Sequence, residues 1–238
     1  RGMNMYRIQT KGLILRSTAY GEANKMLTVL TGENGKISVA AKGGKSHKRG
    51  AFLNNFCYCD FSLVKRGNIY SMESAQPVES FFGISKSVEK LYAASAVTAF
   101  AAYICGEDTP CEDMLRLCLN SLYALAQLDT PPEKVMLAFY IKASEKSGYS
   151  PEVSCCTLCG NTENLLYFSP VCGGAVCGEC HNAEPYIGTD GLELMRFVLN
   201  ADLKDILKFK ASDAEIEKLY GIMKLFISEH FDYKVKGL

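Results

Sequence analysis

The chain lacks the marks of a membrane span and of the common enzyme classes. No apolar run reaches the roughly 18 residues that cross a bilayer. The longest candidate, Leu91 to Cys105, is interrupted by Ser95 and Thr98 and reads as a buried helix. There is no Gly-x-Ser-x-Gly, no His-Glu-x-x-His and no dinucleotide fingerprint. Histidine is scarce: His47, His181 and His230 are far apart in sequence. Gly44-Lys45-Ser46 ends like a phosphate-binding loop, but Val39 stands where that motif requires its first glycine. These absences predict a protein without turnover chemistry. No secretory h-region opens the chain, so its eleven cysteines point to a reducing, cytoplasmic compartment. Thiols there serve as metal ligands or as small apolar residues.

Four of those cysteines are organised. Cys156-x-x-Cys159 and Cys177-x-x-Cys180 are separated by the 17 residues from Gly160 to Val176. Two such pairs at this spacing are the ligand set of a zinc ribbon, in which each tight turn supplies two thiolates to a tetrahedral ion. Gly160 lets the first turn fold back beneath the metal, and Gly173-Gly174 lets the second approach closely. Four protein ligands leave no position for water, so the expected Zn2+ is structural. Tetrathiolate iron is the chemical alternative. Cys155, Cys172 and His181 are neighbouring candidate ligands, and the matched turns favour Cys156, Cys159, Cys177 and Cys180.

The formal charge of zero conceals an asymmetry. Residues 1–80 hold 12 Lys/Arg against 5 Asp/Glu, a net of +7, and residues 81–238 hold 14 against 21, a net of −7. The basic third is the candidate for a polyanion. It also reads as β. Short alternating runs at Tyr6–Leu15, Met26–Thr31, Lys36–Lys42, Phe52–Leu63 and Asn68–Glu73 are divided by turn signals, which predicts a small closed barrel of unspecified type. Between two of these runs lies the glycine-bounded loop Lys42-Gly-Gly-Lys-Ser-His-Lys-Arg49, whose cations suit a phosphodiester backbone. Arg16, Lys25, Lys42, Lys45, Lys48 and Arg49 are the residues expected to engage the phosphates of such a polyanion. Tyr6, Tyr20, Phe52, Phe56, Tyr58, Phe61 and Tyr70 are interleaved with them, mostly as core and in part as candidate stacking platforms.

The pattern changes near Pro77. From Ser85 onward apolar residues recur at helical spacing, with one face at Leu115, Cys118, Leu122 and Leu125. Pro131-Pro132 opens a further helix, and Gly148 and Pro151 stop it. Helices are expected again at Leu192–Leu199, at Asp202–Leu207 and after the capping box Ser212-Asp-Ala-Glu215.

The order of these parts resembles the RecO family of bacterial DNA-repair proteins. Gly12-Leu-Ile-Leu-Arg16, Tyr20-Gly-Glu22, Leu30-Thr31 with Gly35, and Val39-Ala-Ala-Lys-Gly43 are similar to the opening of that family. Cys156-x-x-Cys159-Gly160, Phe168-Ser169, Gly173-Gly174 and Cys177-x-x-Cys180 resemble its zinc module, and Phe231 to Leu238 resembles its ending. Asn24 departs from the usual aspartate after Tyr-Gly-Glu, and the basic loop is less arginine-rich.

The resemblance implies an α+β multidomain chain: an N-terminal OB-fold β-barrel followed by an α-helical domain containing a four-cysteine zinc ribbon. The expected boundaries are 1–80 for the barrel, 81–153 and 188–238 for the helices, and 154–187 for the ribbon. It further implies binding of single- and double-stranded DNA, strand annealing, and action with RecR to load RecA onto DNA coated by single-strand-binding protein, whose acidic tail is a partner. A different class of function is also open: a zinc-stabilised protein–protein adaptor without direct DNA binding, motivated by the acidic helical half.

Overall fold

The computed structural model describes residues 6–44, 50, 52–67 and 69–235. The chain forms two compact units, residues 1–128 and 129–238.

The first unit opens with five strands: β1 (Tyr6–Tyr20), β2 (Asn24–Thr31), β3 (Lys36–Ala41), β4 (Tyr58–Arg66) and β5 (Ile69–Glu79). They close into a barrel in the order β1-β2-β3-β5-β4, with β3 and β5 parallel and every other pair antiparallel. This is the OB topology expected for the N-terminal third. Closure depends on the length of β1. Its first half pairs with β4 and its second with β2, and Gly12 faces Cys59 on one side and Thr31 on the other. A register shift between Ile14 and Arg16 bends the strand as it passes from one partner to the other. The alternation in β3 is a direct print of the pleat: Ile37, Val39 and Ala41 are buried, while Lys36, Ser38 and Ala40 are half-buried. The inward residues join Ile14, Leu27, Val29, Leu53, Phe61, Leu63 and Tyr70 in one apolar core. Cys57 and Cys59 lie in that core, behaving as small apolar side chains.

β4 begins at Tyr58 rather than at Phe52. The segment before it is turned: Leu53 N–H donates to Gly50 O, and Phe56 has a left-handed backbone (φ 69°) that a strand cannot contain. β5 continues past the expected Glu73 to Glu79. A short 3-10 turn (Phe82–Lys86) then leads to α1 (Val88–Ile104) and α2 (Glu112–Gln127). The connection between these helices is bonded to the β2–β3 turn. Lys36 N–H donates to Gly106 O and Cys111 N–H to Gly32 O.

The second unit contains α3 (Pro132–Lys146), β6 (Leu165–Ser169), β7 (Gly174–Cys177), α4 (Gly188–Asn200) and α5 (Asp213–His230). Pro132 at the first turn of α3 costs no helical hydrogen bond. Every residue of α3 from Val135 to Ser144 is buried, including Lys142. Its ammonium is satisfied by Leu199 O at 2.6 Å and by Glu145 at 3.0 Å. α5 starts at the expected capping box, in which Ser212 accepts from Glu215 N–H and the Glu215 carboxylate accepts from Ser212 N–H. The helix expected at Asp202–Leu207 is instead a run of turns. Asp205 N–H bonds to Asp202 O and Lys208 N–H to Asp205 O, so the spacing is i to i+3.

Candidate metal centre and nucleic-acid interface

The ribbon begins as two mirrored turns. Gly160 N–H donates to Cys156 O at 2.8 Å, and four residues past Cys177, His181 N–H donates to Cys177 O at 3.1 Å. Gly160 has φ 78°, the left-handed geometry that glycine adopts without strain. β6 and β7 pair antiparallel and carry Cys177 to a position opposite Leu165. The result is that the sulfurs of Cys156, Cys159, Cys177 and Cys180 all lie within 4.8 Å of one another. Cys159 Sγ and Cys177 Sγ are 3.8 Å apart. A tetrahedron with Zn–S distances of about 2.3 Å has edges of about 3.8 Å, so this donor set fits a tetrathiolate ion. Cys155, Cys172 and His181 stand outside the cluster, and the His181 ring instead meets Tyr167 edge-on.

Backbone amides prepare the cluster for anionic sulfur. Burial raises the Cys156 thiol, but the N–H groups of Cys177, Cys159 and Leu158 outweigh it and bring its pKa down to about 6. Cys180 is held at about 12 by hydrogen bonds with Cys159 and Cys177. Cys156 thus favours the thiolate while Cys180 keeps its proton, and a divalent cation would hold both as thiolates. The ribbon is fastened to α5. Phe168 of β6 packs on Phe226, and the His230 ring nitrogen Nε2 lies 2.8 Å from Pro170 O.

The barrel sorts its cations into engaged and exposed groups. Lys36 donates to Ala102 O near the end of α1, and Lys65 donates to Asp108 in the loop that follows. Arg7 pairs with Glu73. Among the described residues Arg16 and Lys42 are exposed and have no ion pair or side-chain hydrogen bond. Lys45, Lys48 and Arg49 lie outside the described residues. Lys25 is used differently from a free cation. Its Nζ donates to Leu53 O at 2.8 Å, Asn54 Oδ1 at 3.1 Å and Gly50 O at 3.3 Å, and burial lowers its pKa. It anchors the end of the basic loop to β2. Asn24, the departure noted above, accepts from Gly43 N–H at the other end. Gly44 and Gly50 meet backbone to backbone, where a side chain on Gly50 would collide with Gly44 O. The base of the loop is thus closed by Lys25, Asn24 and two glycines. Only the cations were legible in the sequence; the closure depends on contacts between separate strands.

The aromatic residues divide in the same way. Phe56, Phe61 and Tyr70 are buried, whereas Tyr6 and Tyr20 are 65% and 63% exposed.

The fold and cluster together define an OB-barrel protein with helices and a cysteine-stapled ribbon. Comparison with known proteins places it further. The family model described as Recombination protein O N terminal matches residues 3–81, and that described as Recombination protein O C terminal matches residues 85–238. The DNA repair protein RecO of Caldicellulosiruptor saccharolyticus is 32% identical over 236 residues, covering 97% of this chain and 96% of the relative. Those of Alkaliphilus metalliredigens and Acetivibrio thermocellus are 29% and 27% identical, each covering at least 94% of this chain and 93% of the relative. The chain belongs to the RecO family of DNA repair proteins. No helix among the described residues is long and apolar enough to cross a membrane.

Proposed function

We propose that the chain is a non-catalytic recombination mediator that binds single- and double-stranded DNA through its barrel. In this reading it anneals complementary strands. With RecR, it also helps load RecA onto DNA coated by single-strand-binding protein. The observation that carries the proposal is the set of exposed cations without ion pairs among the described residues of the barrel, Lys11, Arg16 and Lys42, where Lys25, Lys36 and Lys65 are each held by internal acceptors. Cations without internal partners are free to displace counterions from phosphate, and the family membership names the process they serve. Lys45, Lys48 and Arg49 extend the same stretch of sequence, while Lys25 holds the loop that bears them. The ion in the ribbon is Zn2+, with the four thiolates as its complete shell.

A salt titration of oligonucleotide binding by the full chain tests this. Affinity should fall steeply between about 50 and 200 mM salt, and Arg16→Ala with Lys42→Ala should flatten the log–log slope by roughly 0.7 for each phosphate left unneutralised on single strands. Binding that is flat in salt, or no binding at all, would favour the adaptor reading instead.

A further inference from the structure

The first unit contains a cavity of about 340 Å³ that the cations do not line. Its walls are the turned segment Phe52–Cys57 and the stretch from Ser80 to Leu91. Phe52, Phe56, Phe81 and Phe82 are its aromatic lining residues, and Asn54, Asn55, Ser80 and Ser85 are its neutral polar ones. No charged side chain takes part. Such a lining suits an uncharged, planar, polar-edged group.

Two independent features mark this cavity as more than a packing gap. Phe56 and Phe81 both line it, and both have left-handed backbones, at φ 69° and 45°. Bulky residues rarely adopt that region, and such outliers concentrate at ligand clamps. Each is held there by its surroundings. Phe56 N–H donates to Ile14 O, and the Glu79 carboxylate accepts from both Ser80 N–H and Phe81 N–H. Phe82, which also lines the cavity, is 79% exposed despite being a phenylalanine.

The second feature is electrostatic. The cavity wall is tied to the cationic side of the barrel. Lys25 Nζ binds Leu53 O and Asn54 Oδ1, while Ser17 N–H donates to Asn55 Oδ1 at 2.8 Å and Ser17 Oγ to Leu53 O at 2.8 Å. Arg16, exposed and unpaired among the described residues, directly precedes Ser17. A neutral aromatic cleft fixed beside exposed positive charge matches the two halves of a nucleotide.

We propose that this cavity receives one unstacked nucleobase of single-stranded DNA. Phe82 stacks on the base, and the Asn55 amide, oriented by Ser17, offers its Nδ2 donors to the base edge. Arg16, next to Ser17 in sequence, meets a neighbouring phosphate. The proposal rests on the barrel being a DNA-binding surface and adds a recognition element that phosphate contacts cannot supply. It predicts a preference for single strands, since a paired base is not available to the cleft.

The chain has no tryptophan, so Phe82→Trp introduces a single reporter at an exposed position. Its fluorescence should be quenched by an oligothymidine and not by an abasic phosphodiester chain of equal length or by duplex DNA. In parallel, the native chain should bind the oligothymidine about tenfold more tightly than the abasic chain, and Phe82→Ala should abolish that ratio while leaving abasic affinity unchanged. If Phe82→Ala leaves the ratio intact, or weakens both ligands equally, the base pocket is wrong while DNA binding by the barrel stands. If neither strand binds the native chain, both readings fall. Quenching by N-acetyl-phenylalaninamide with none by oligothymidine would assign the cleft to a protein side chain and overturn the proposal.

Discussion

The barrel and the ribbon are both small β structures, and they are stabilised by different physics. The barrel has five strands, no open edge and an apolar core that includes Phe61, Leu63 and Tyr70. The ribbon has two strands, of five and four residues. A two-stranded sheet alone is marginal in water, so the ribbon depends on the packing of Phe168 against α5 and on its cysteine cluster. Cysteine shows the contrast within one residue type. Cys57 and Cys59 fill space in the barrel core, whereas Cys156, Cys159, Cys177 and Cys180 converge sulfur to sulfur in the ribbon, with Cys159 exposed. A thiol that packs is replaceable by another small apolar group; a thiol that ligates is not.

The largest effect should come from breaking the ribbon's side of that comparison. Structural zinc contributes on the order of 10 kcal/mol to the folding of a small metal module. Cys177→Ser, or a strong chelator, should remove the metal and lower the melting transition of residues 129–238 by more than about 10 °C. The transition of the barrel unit should move far less. Calorimetry with metal analysis checks both, and an unchanged thermogram on a zinc-free chain would show that the ribbon stands without its ion.

The matching cut in the barrel is Phe61→Ala. Phe61 is fully buried, and large-to-small changes at such sites cost about 3–5 kcal/mol through lost burial and the cavity left behind. The variant should denature at lower urea concentration and still hold a full complement of zinc. Loss of zinc from Phe61→Ala would mean that the two structures are not independent, and the contrast would lose its basis.

The parts that were legible in the sequence are those that depend on short spacing. The two Cys-x-x-Cys turns, the alternation of β3 and the capping box at Ser212 each lie within a few residues, so their periodicity and chemistry are printed locally. What escaped depends on separate segments meeting. Phe52–Cys57 carries strand-like residues but is turned, because Lys25 and Ser17 on two other strands capture its carbonyls and amides. Lys25 reads as a free surface cation, and its three acceptors come from a separate segment of the chain. The run at Asp202–Leu207 has helical composition, yet it forms only isolated turns between α4 and α5. Side-chain charge can be counted along a chain, but whether that charge is free is decided by tertiary contacts.

The smallest effect separates metal anchoring from helix stability within the second unit. The cap at Ser212 opens α5, and the ribbon is fastened near the far end of the same helix by Phe226 and His230. Ser212→Ala removes the hydroxyl that caps the helix and should cost about 1 kcal/mol. Zinc content should not change, because the cap is at the opposite end of α5 from the ribbon contacts. The loss should also depend on pH. Hydrogen bonds from the Ser212 side chain, and then from its backbone amide, hold the Glu215 carboxyl below its ordinary range. A depressed carboxyl contributes stability that is fully present above its unfolded pKa and is lost as pH falls through the folded value. The gap between native and Ser212→Ala chains should therefore narrow on acidification below the ordinary glutamate pKa. Melting temperatures of both chains, measured from neutral pH downward, give the comparison. A gap that stays constant would assign the cap to the hydroxyl alone, and zinc loss in the variant would show that α5 transmits strain along its length to the ribbon.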